Sequence, residues 1–421
     1  MTSALKTDRY ELTMLDAALN SGMGDKQVVF EVFTRSLPAG RRFGVFAGVG
    51  RLIDEISNFR FTKEQLRFLG NQKIVSEKTL DWLKNYSFSG SIEGFEEGEI
   101  YFGNSPVLTV VGSFAECVVL ETLVLSILNY DSAVASAAAR MRIAAGDRKL
   151  IEMGSRRANE DAAVAAARAS YVAGFDATSN LLAQYRYGIP TLGTSGHAFT
   201  LLFDSEKEAF EAQLSAMGKN TTFLVDTFNV EQAVEAAVDI TDGELANVRI
   251  DSGDLAETAA RVRAQLDQLG AKNSKITVTN DLDEDAIAAL AAAPVNNYGV
   301  GTSLVTGSGF PTAGFVFKMV AKLDSKSWVN VSKQSAGKSN IPGRKIATRV
   351  SENGVAVQDR ISTDKAPTGR QLQVAFISNG QIIYKPDLAV ARDRFAQSLS
   401  ELPATAKRLS DGEPALAVAT S

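Results

Sequence analysis

Between residues 189 and 320 the chain repeats one unit: a short apolar run, a turn of Gly, Ser, Thr or Asp, then an amphipathic helical stretch. The apolar runs fall at 189–192, 222–225, 248–250, 276–278 and 298–300, with helical patterns at 230–238, 255–269 and 284–292. Strands separated by helices cannot pair as tight hairpins. The crossover makes them parallel neighbours in one sheet. Repetition on this scale predicts an α/β barrel, open or closed, whose ligands bind at the C-terminal ends of the strands.

The turns at those ends carry the chemistry. They read Gly193-Thr194-Ser195-Gly196-His197, Asp226-Thr227-Phe228-Asn229, Asp251-Ser252-Gly253-Asp254, Asn280-Asp281-Leu282-Asp283 and Gly301-Thr302-Ser303. His197 is the chain's only histidine. A lone histidine is often idle, but one on a rim of carboxylates is a candidate for proton or phosphate chemistry near its ordinary pKa of about 6.5. Asp251 and Asp281 stand at adjacent strand ends, where carboxylates hold ribose hydroxyls or a Mg²⁺ that bridges phosphates. Asp254 and Asp283 suit helix N-caps. Arg249 and Asp251 are alternate residues of one run and point to the same side, which suits an arginine fork for carboxylate or phosphate. The glycines of Gly299-Val300-Gly301-Thr302 free backbone N–H groups for a phosphate. Arg156 and Arg157 open a helix predicted over 155–173, either as a diphosphate site or as surface charge.

Residues 92–111 read as strands broken by turns, and 116–145 as an Ala-rich helix. Past 320, strand-like runs carry Lys333, Lys338, Arg344, Lys345 and Arg349 and are expected to fold back on the N-terminal part. Residues 401–421 end in small side chains and are expected to be loosely held. The domain expectation is an α/β domain from 1–115 with 330–421, and a barrel over 116–329. A net charge of −5 on 421 residues disfavours nucleic acid and membrane surfaces as partners. The apolar stretch 118–128, broken by Glu121, is too short to span a bilayer, and the first residues lack a signal-peptide core. One buried-type cysteine, Cys117, fits a reducing, cytoplasmic setting. One His and one Cys also leave no usual zinc set, so any metal is a hard ion on oxygen.

Several motifs resemble nicotinate phosphoribosyltransferases, in the family's order. They are Thr7-Asp8-Arg9-Tyr10-Glu11-Leu12-Thr13-Met14, Gly154-Ser155-Arg156-Arg157-Ala158 and Gly174-Phe175-Asp176-Ala177-Thr178-Ser179-Asn180. Next come Tyr187-Gly188-Ile189-Pro190-Thr191 leading to His197, then Arg249-Ile250-Asp251-Ser252-Gly253-Asp254, then Gly299-Val300-Gly301-Thr302. The resemblance implies an irregular, incomplete α/β barrel plus an α/β sandwich-like domain formed from both chain ends. It implies a homodimer with shared active sites. The implied reaction joins nicotinate to phosphoribosyl pyrophosphate, giving nicotinate mononucleotide and pyrophosphate for NAD synthesis, coupled to ATP hydrolysis, with Mg²⁺ on the phosphates. By the same resemblance His197 is the histidine that ATP phosphorylates. Arg249 and Arg156 bind the substrate's carboxylate and phosphates, Asp251 and Asp281 the ribose hydroxyls, and Gly299, Gly301 and Thr302 the 5′-phosphate. Tyr10 stacks on the pyridine ring from the partner subunit.

Two positions bear on the substrate. A related nicotinamide-using enzyme carries aspartate where Ser179 stands here. A carboxylate accepts from a carboxamide and repels nicotinate, whereas a hydroxyl donates to a carboxylate. Met153 stands where that relative has an aromatic ring-stacker, and a thioether still packs on a pyridine face. The competing expectations are a quinolinate or nicotinamide phosphoribosyltransferase without obligatory ATP coupling, and a non-catalytic sensor of phosphorylated ligands.

Overall fold

The computed structural model describes residues 3–333 and 340–420, so Lys338 lies outside the described residues. Cα packing divides the chain into two compact units, Ala137–Gly309 and Met1–Ser136 with Phe310–Ser421. The barrel unit is thus narrower at both ends than the segment 116–329 expected from sequence.

In the barrel unit six short strands run parallel: β1 (Lys149–Glu152), β2 (Ala177–Thr178), β3 (Thr222–Leu224), β4 (Asn247–Ile250), β5 (Lys275–Val278) and β6 (Asn297–Val300). Their order across the sheet is β2-β1-β6-β5-β4-β3. The edges β2 and β3 do not pair with each other, so the sheet is a curled half-barrel, as the incomplete-barrel expectation requires. Two sequence expectations need correction. The run 189–192 contributes only a single bridge, Thr191 to Thr178, because Pro190 removes a ladder donor. A strand the periodicity does not show, Lys149–Glu152, takes a central place beside β6. It is only four residues long and is defined by its neighbours.

Strand alternation divides the sheet into two faces. Val248, Ile250, Ile276, Val278, Tyr298 and Val300 are fully buried, each contributing about 1.5–3 kcal/mol of burial if aliphatic. The other face is polar. Asn247 Nδ2 donates to Thr222 Oγ1 at 3.0 Å and to Thr277 Oγ1 at 2.8 Å, and Asn297 Nδ2 donates to Thr277 Oγ1 at 2.9 Å. Two residues further along the same face come Arg249, Thr279 and Gly299, and then Asp251, Asp281 and Gly301. The helices Val230–Ile240 and Leu255–Gln268 bury Ala233, Val234, Ala237 and Val238, and Ala259, Val262 and Leu266, at the three-to-four spacing of an amphipathic helix. Asp254 and Asp283 are N-caps, accepting from Glu257 N and from Asp285 and Ala286 N.

The helix expected from 155 begins later, at Glu160–Val172, capped by Asn159. Arg156 and Arg157 therefore lie in the turn before it.

In the other unit a seven-stranded sheet holds Gln27–Phe33 between Leu108–Ser113 and Val316–Asp324, so both chain ends build it. A four-stranded sheet holds Ile346–Glu352 and Val355–Ser362. The C-terminal tail is not loose: Ala417–Thr420 pairs in parallel with Val355–Ser362. Arg349 is wholly buried, bound to Asp359 at 2.8 and 2.9 Å and to Glu99 at 2.7 Å. The helix Glu121–Ala145 lies within the stretch 116–145 expected to be helical and, unlike the apolar run 118–128, is long and apolar enough to cross a bilayer by length and composition. However, 67% of its most apolar window is buried in the fold, the condition of a core helix.

Candidate active site

The polar face opens at the C-terminal strand ends into a cleft of about 470 Å³. Arg156, Ser179, Arg249, Asp251, Asp281, Gly299, Gly301 and Thr302 line it, together with Met153, Thr194 and Ser195. Tyr10 belongs to the other unit. It is half-exposed on the helix Arg9–Asn20, and burial together with the charge of Glu121 raises its phenol far above the ordinary value.

His197 starts a short helix at the lip of the cleft. Its Nδ1 lies 3.2 Å from Thr227 Oγ1. Its Nε2 lies 3.8 Å from Asp251 Oδ2 and 4.0 Å from Asp226 Oδ1. The Asp226 side chain is only 4% exposed. Its Oδ2 accepts from Asp251 N at 2.8 Å and Ser252 Oγ at 2.5 Å, while Oδ1 is buried without a hydrogen-bond partner. Thr279 donates its hydroxyl to Asp251 Oδ1. Asp226 and Thr227 were visible as a rim turn in the sequence, but nothing there singled them out as neighbours of the imidazole.

Arg249 stands beside these carboxylates, its Nη2 3.9 Å from Asp251 Oδ2. It donates from Nη1 to Thr194 Oγ1 at 2.8 Å, and its Nε is buried without a partner. Burial lowers the pKa of the guanidinium, the carboxylates of Asp251 and Asp226 oppose this, and the nearby charge of Arg156 adds to the lowering. Two guanidinium groups with an unused buried donor form a site for an anion, since an unpaired buried donor costs about 1–3 kcal/mol until a ligand satisfies it.

The turn after β5 is strained: Asn280 has φ 105° and Asp281 φ 44°, a conformation non-glycine residues rarely adopt. Gly299 has a packing reason to be glycine. A Cβ there would stand 2.5 Å from Thr279 Cγ2 and 2.7 Å from Met153 Sδ. A Cβ on Gly301 would meet only ordinary contacts, so its backbone lies open to the cleft. Beneath the cleft, the buried carboxylate of Glu152 accepts from Gly154 N and Thr178 Oγ1 and so ties the Arg156 turn to the Ser179 turn. Sequence reading gave no sign of it, because its role depends on β1 being central.

Comparison with known proteins decides what the cleft belongs to. The family model for the nicotinate phosphoribosyltransferase N-terminal domain matches residues 5–129, and the model for the nicotinate phosphoribosyltransferase family matches residues 148–373. The chain belongs to the nicotinate phosphoribosyltransferase family. It is 49% identical over 432 aligned residues to nicotinate phosphoribosyltransferase pncB1 of Mycobacterium tuberculosis, covering 99% of this chain and 95% of that protein. It is 36% identical to the nicotinate phosphoribosyltransferase of Bacillus subtilis, over 82% of this chain and 73% of that one. The crystal structure of human nicotinic acid phosphoribosyltransferase superimposes with a TM-score of 0.85 at 25% identity, covering 98% and 97% of the two chains. Membership in the nicotinate phosphoribosyltransferase family extends over both units, and with it phosphoribosyl transfer in NAD synthesis.

Proposed function

We propose that this chain transfers phosphoribosyl from phosphoribosyl pyrophosphate to nicotinate and couples the transfer to ATP hydrolysis through a phosphohistidine at His197. The observation that carries this is the setting of the imidazole, fixed at Nδ1 by Thr227 and facing Asp251 and Asp226 from Nε2. In the tautomer that donates Nδ1–H to Thr227, the lone pair is on Nε2. Attack on the γ-phosphorus of ATP forms a P–N bond and releases ADP. The two carboxylates stabilise the positive ring that results. Hydrolysis of that bond later returns free His197 and inorganic phosphate.

The ribosyl transfer itself develops oxocarbenium character and needs positioning more than a base. Arg249 and Ser179 hold the nicotinate carboxylate, and Arg156 the phosphates. Asp251 and Asp281 hold the ribose hydroxyls, and the open backbone at Gly301 and Thr302 holds the 5′-phosphate. Met153, packed against Gly299, offers one face for the pyridine ring. Asp251 and the unpartnered Oδ1 of Asp226 would offer hard oxygen ligands to a Mg²⁺ that accompanies the phosphates. It would neutralise phosphate charge. A homodimer with shared sites, placing Tyr10 of one copy on the pyridine of the other, is supported by the exposed apolar residues Leu181, Tyr185, Leu201, Leu202 and Phe228 around the strand ends. A cytoplasmic setting is supported by the single, buried, unpaired Cys117.

The test is a product assay with nicotinate, nicotinamide and quinolinate, each with and without ATP, alongside γ-labelled ATP. Nicotinate mononucleotide stimulated by ATP, with acid-labile, base-stable label on the protein, is the expected result. If His197→Ala keeps full ATP stimulation, the phosphohistidine route is wrong.

A further inference from the structure

We propose that Gln213 is a positioning residue for His197, acting through the hydroxyl of Ser195. The inference rests on His197 being the reacting group. The residues leading into His197 have little to hold them sterically: a Cβ on Gly193 or on Gly196 would meet no atom within 4 Å. Among the described residues, no backbone–backbone hydrogen bond ties Gly193, Thr194 or Ser195 to the sheet. Two side chains hold the loop instead. Arg249 Nη1 reaches Thr194 Oγ1 at 2.8 Å and Ser195 O at 3.4 Å, and Ser195 Oγ donates to Gln213 Oε1 at 2.8 Å.

These two anchors differ in kind. Arg249 lines the cleft and also serves the bound anion. Gln213 lies outside the cleft, on the helix Glu206–Met217, and is 3% exposed. Its Nε2 donates to Thr221 Oγ1 at 2.7 Å and Thr222 O at 3.0 Å, at the start of β3. That pair of acceptors fixes the amide: a flip would set Oε1 against the Thr222 carbonyl. Oε1 is therefore aimed at Ser195 by bonds independent of the loop. The loop feeds directly into Gly196, the N-cap residue of the His197 helix. Releasing Ser195 frees the imidazole from its place between Thr227 and the two carboxylates. When Arg249 turns to a substrate anion, the Gln213–Ser195 bond is the anchor that remains.

The single histidine makes a clean probe. Histidine labelled with ¹³C at Cε1 gives one resonance from the full-length protein, expected sharp and displaced from a free side chain's position. Ser195→Ala removes the loop's half of the bond and leaves Gln213 bonded to Thr221 and Thr222. Gln213→Leu removes the whole bracket. Both variants should move and broaden the resonance toward the free position, and slow label uptake from γ-labelled ATP by about tenfold or more. Ser195→Thr, which keeps a hydroxyl, should restore both. The double variant should be no worse than Gln213→Leu. A wild-type resonance in Ser195→Ala, or additive losses in the double variant, overturns the proposal. Absence of label on the wild-type protein overturns the phosphohistidine reading instead, and the resonance still decides whether Gln213 positions the ring.

Discussion

Nε2 of His197 stands 3.8 Å from Oδ2 of Asp251. That gap is too long for a direct hydrogen bond but short enough for strong attraction once the ring becomes positive. Asp251 also receives the Thr279 hydroxyl, so its orientation is fixed. Asp251→Asn keeps the shape and removes the charge. Turnover should fall by about 10²-fold, read as kcat with saturating substrates, while thermal stability changes little. An unchanged kcat would remove Asp251 from the reacting set.

Arg249 discriminates by charge. Arg249→Lys loses the planar fork and the buried Nε donor, and should raise KM for nicotinate by about 10- to 100-fold, matching the roughly 1.5–3 kcal/mol of a hydrogen bond to a charged group. Nicotinamide, measured in parallel, should be affected less. Equal effects on both would place the substrate carboxylate elsewhere.

Gly299→Ala drives a methyl group into Thr279 and Met153. Overpacking of this sort costs about 1–3 kcal/mol, and the flexible thioether is the part that yields. KM for nicotinate should rise more than the melting temperature falls. Steady-state kinetics beside a thermal melt measures both.

Acid stability depends in part on Glu116. Burial acts to raise its carboxyl, but hydrogen bonds from Ser89 and Ser113 outweigh this and hold it below the ordinary value. A lowered folded pKa gives stability that is complete above the unfolded value of about 4.3 and is lost as pH falls through the folded value. Wild type should therefore exceed Glu116→Gln in urea midpoint at neutral pH, with the difference shrinking below about pH 4. A constant difference across pH would contradict this.

Arg349, wholly buried, bridges Asp359 and Glu99. Arg349→Met strips the buried Asp359 carboxylate of its guanidinium, while Glu99 keeps Arg370 at 2.7 Å, and should destabilise the fold by about 3–5 kcal/mol. Urea unfolding followed by circular dichroism reads this directly. A change under about 1 kcal/mol would mean the carboxylates are neutralised otherwise.

Much of the cleft was legible in one dimension. Strand alternation and turn chemistry are local, so the repeat itself sets Arg249 and Asp251 on one side and puts the turns of Asp251, Asp281 and Gly301 at one end of the strands. The ordered motifs identified the family for the same reason: each is a contiguous segment. The elements that escaped were those made by neighbours. Lys149–Glu152 carries too few apolar residues to announce a strand, and becomes one because β2 and β6 pair on either side of it. The tail gains its order from a parallel ladder with Val355–Ser362.

The sequence by itself determined the half-barrel's periodicity, the rim on which its chemistry sits and the single imidazole available to it, because backbone alternation and residue type are properties of short segments. Only the tertiary structure decided what that imidazole faces. Asp226 and Thr227 reach His197 from one strand end and Asp251 from the next, and Gln213 braces its loop from a helix. Such contacts join residues far apart in sequence, whose spacing along the chain carries no record of their distance in space.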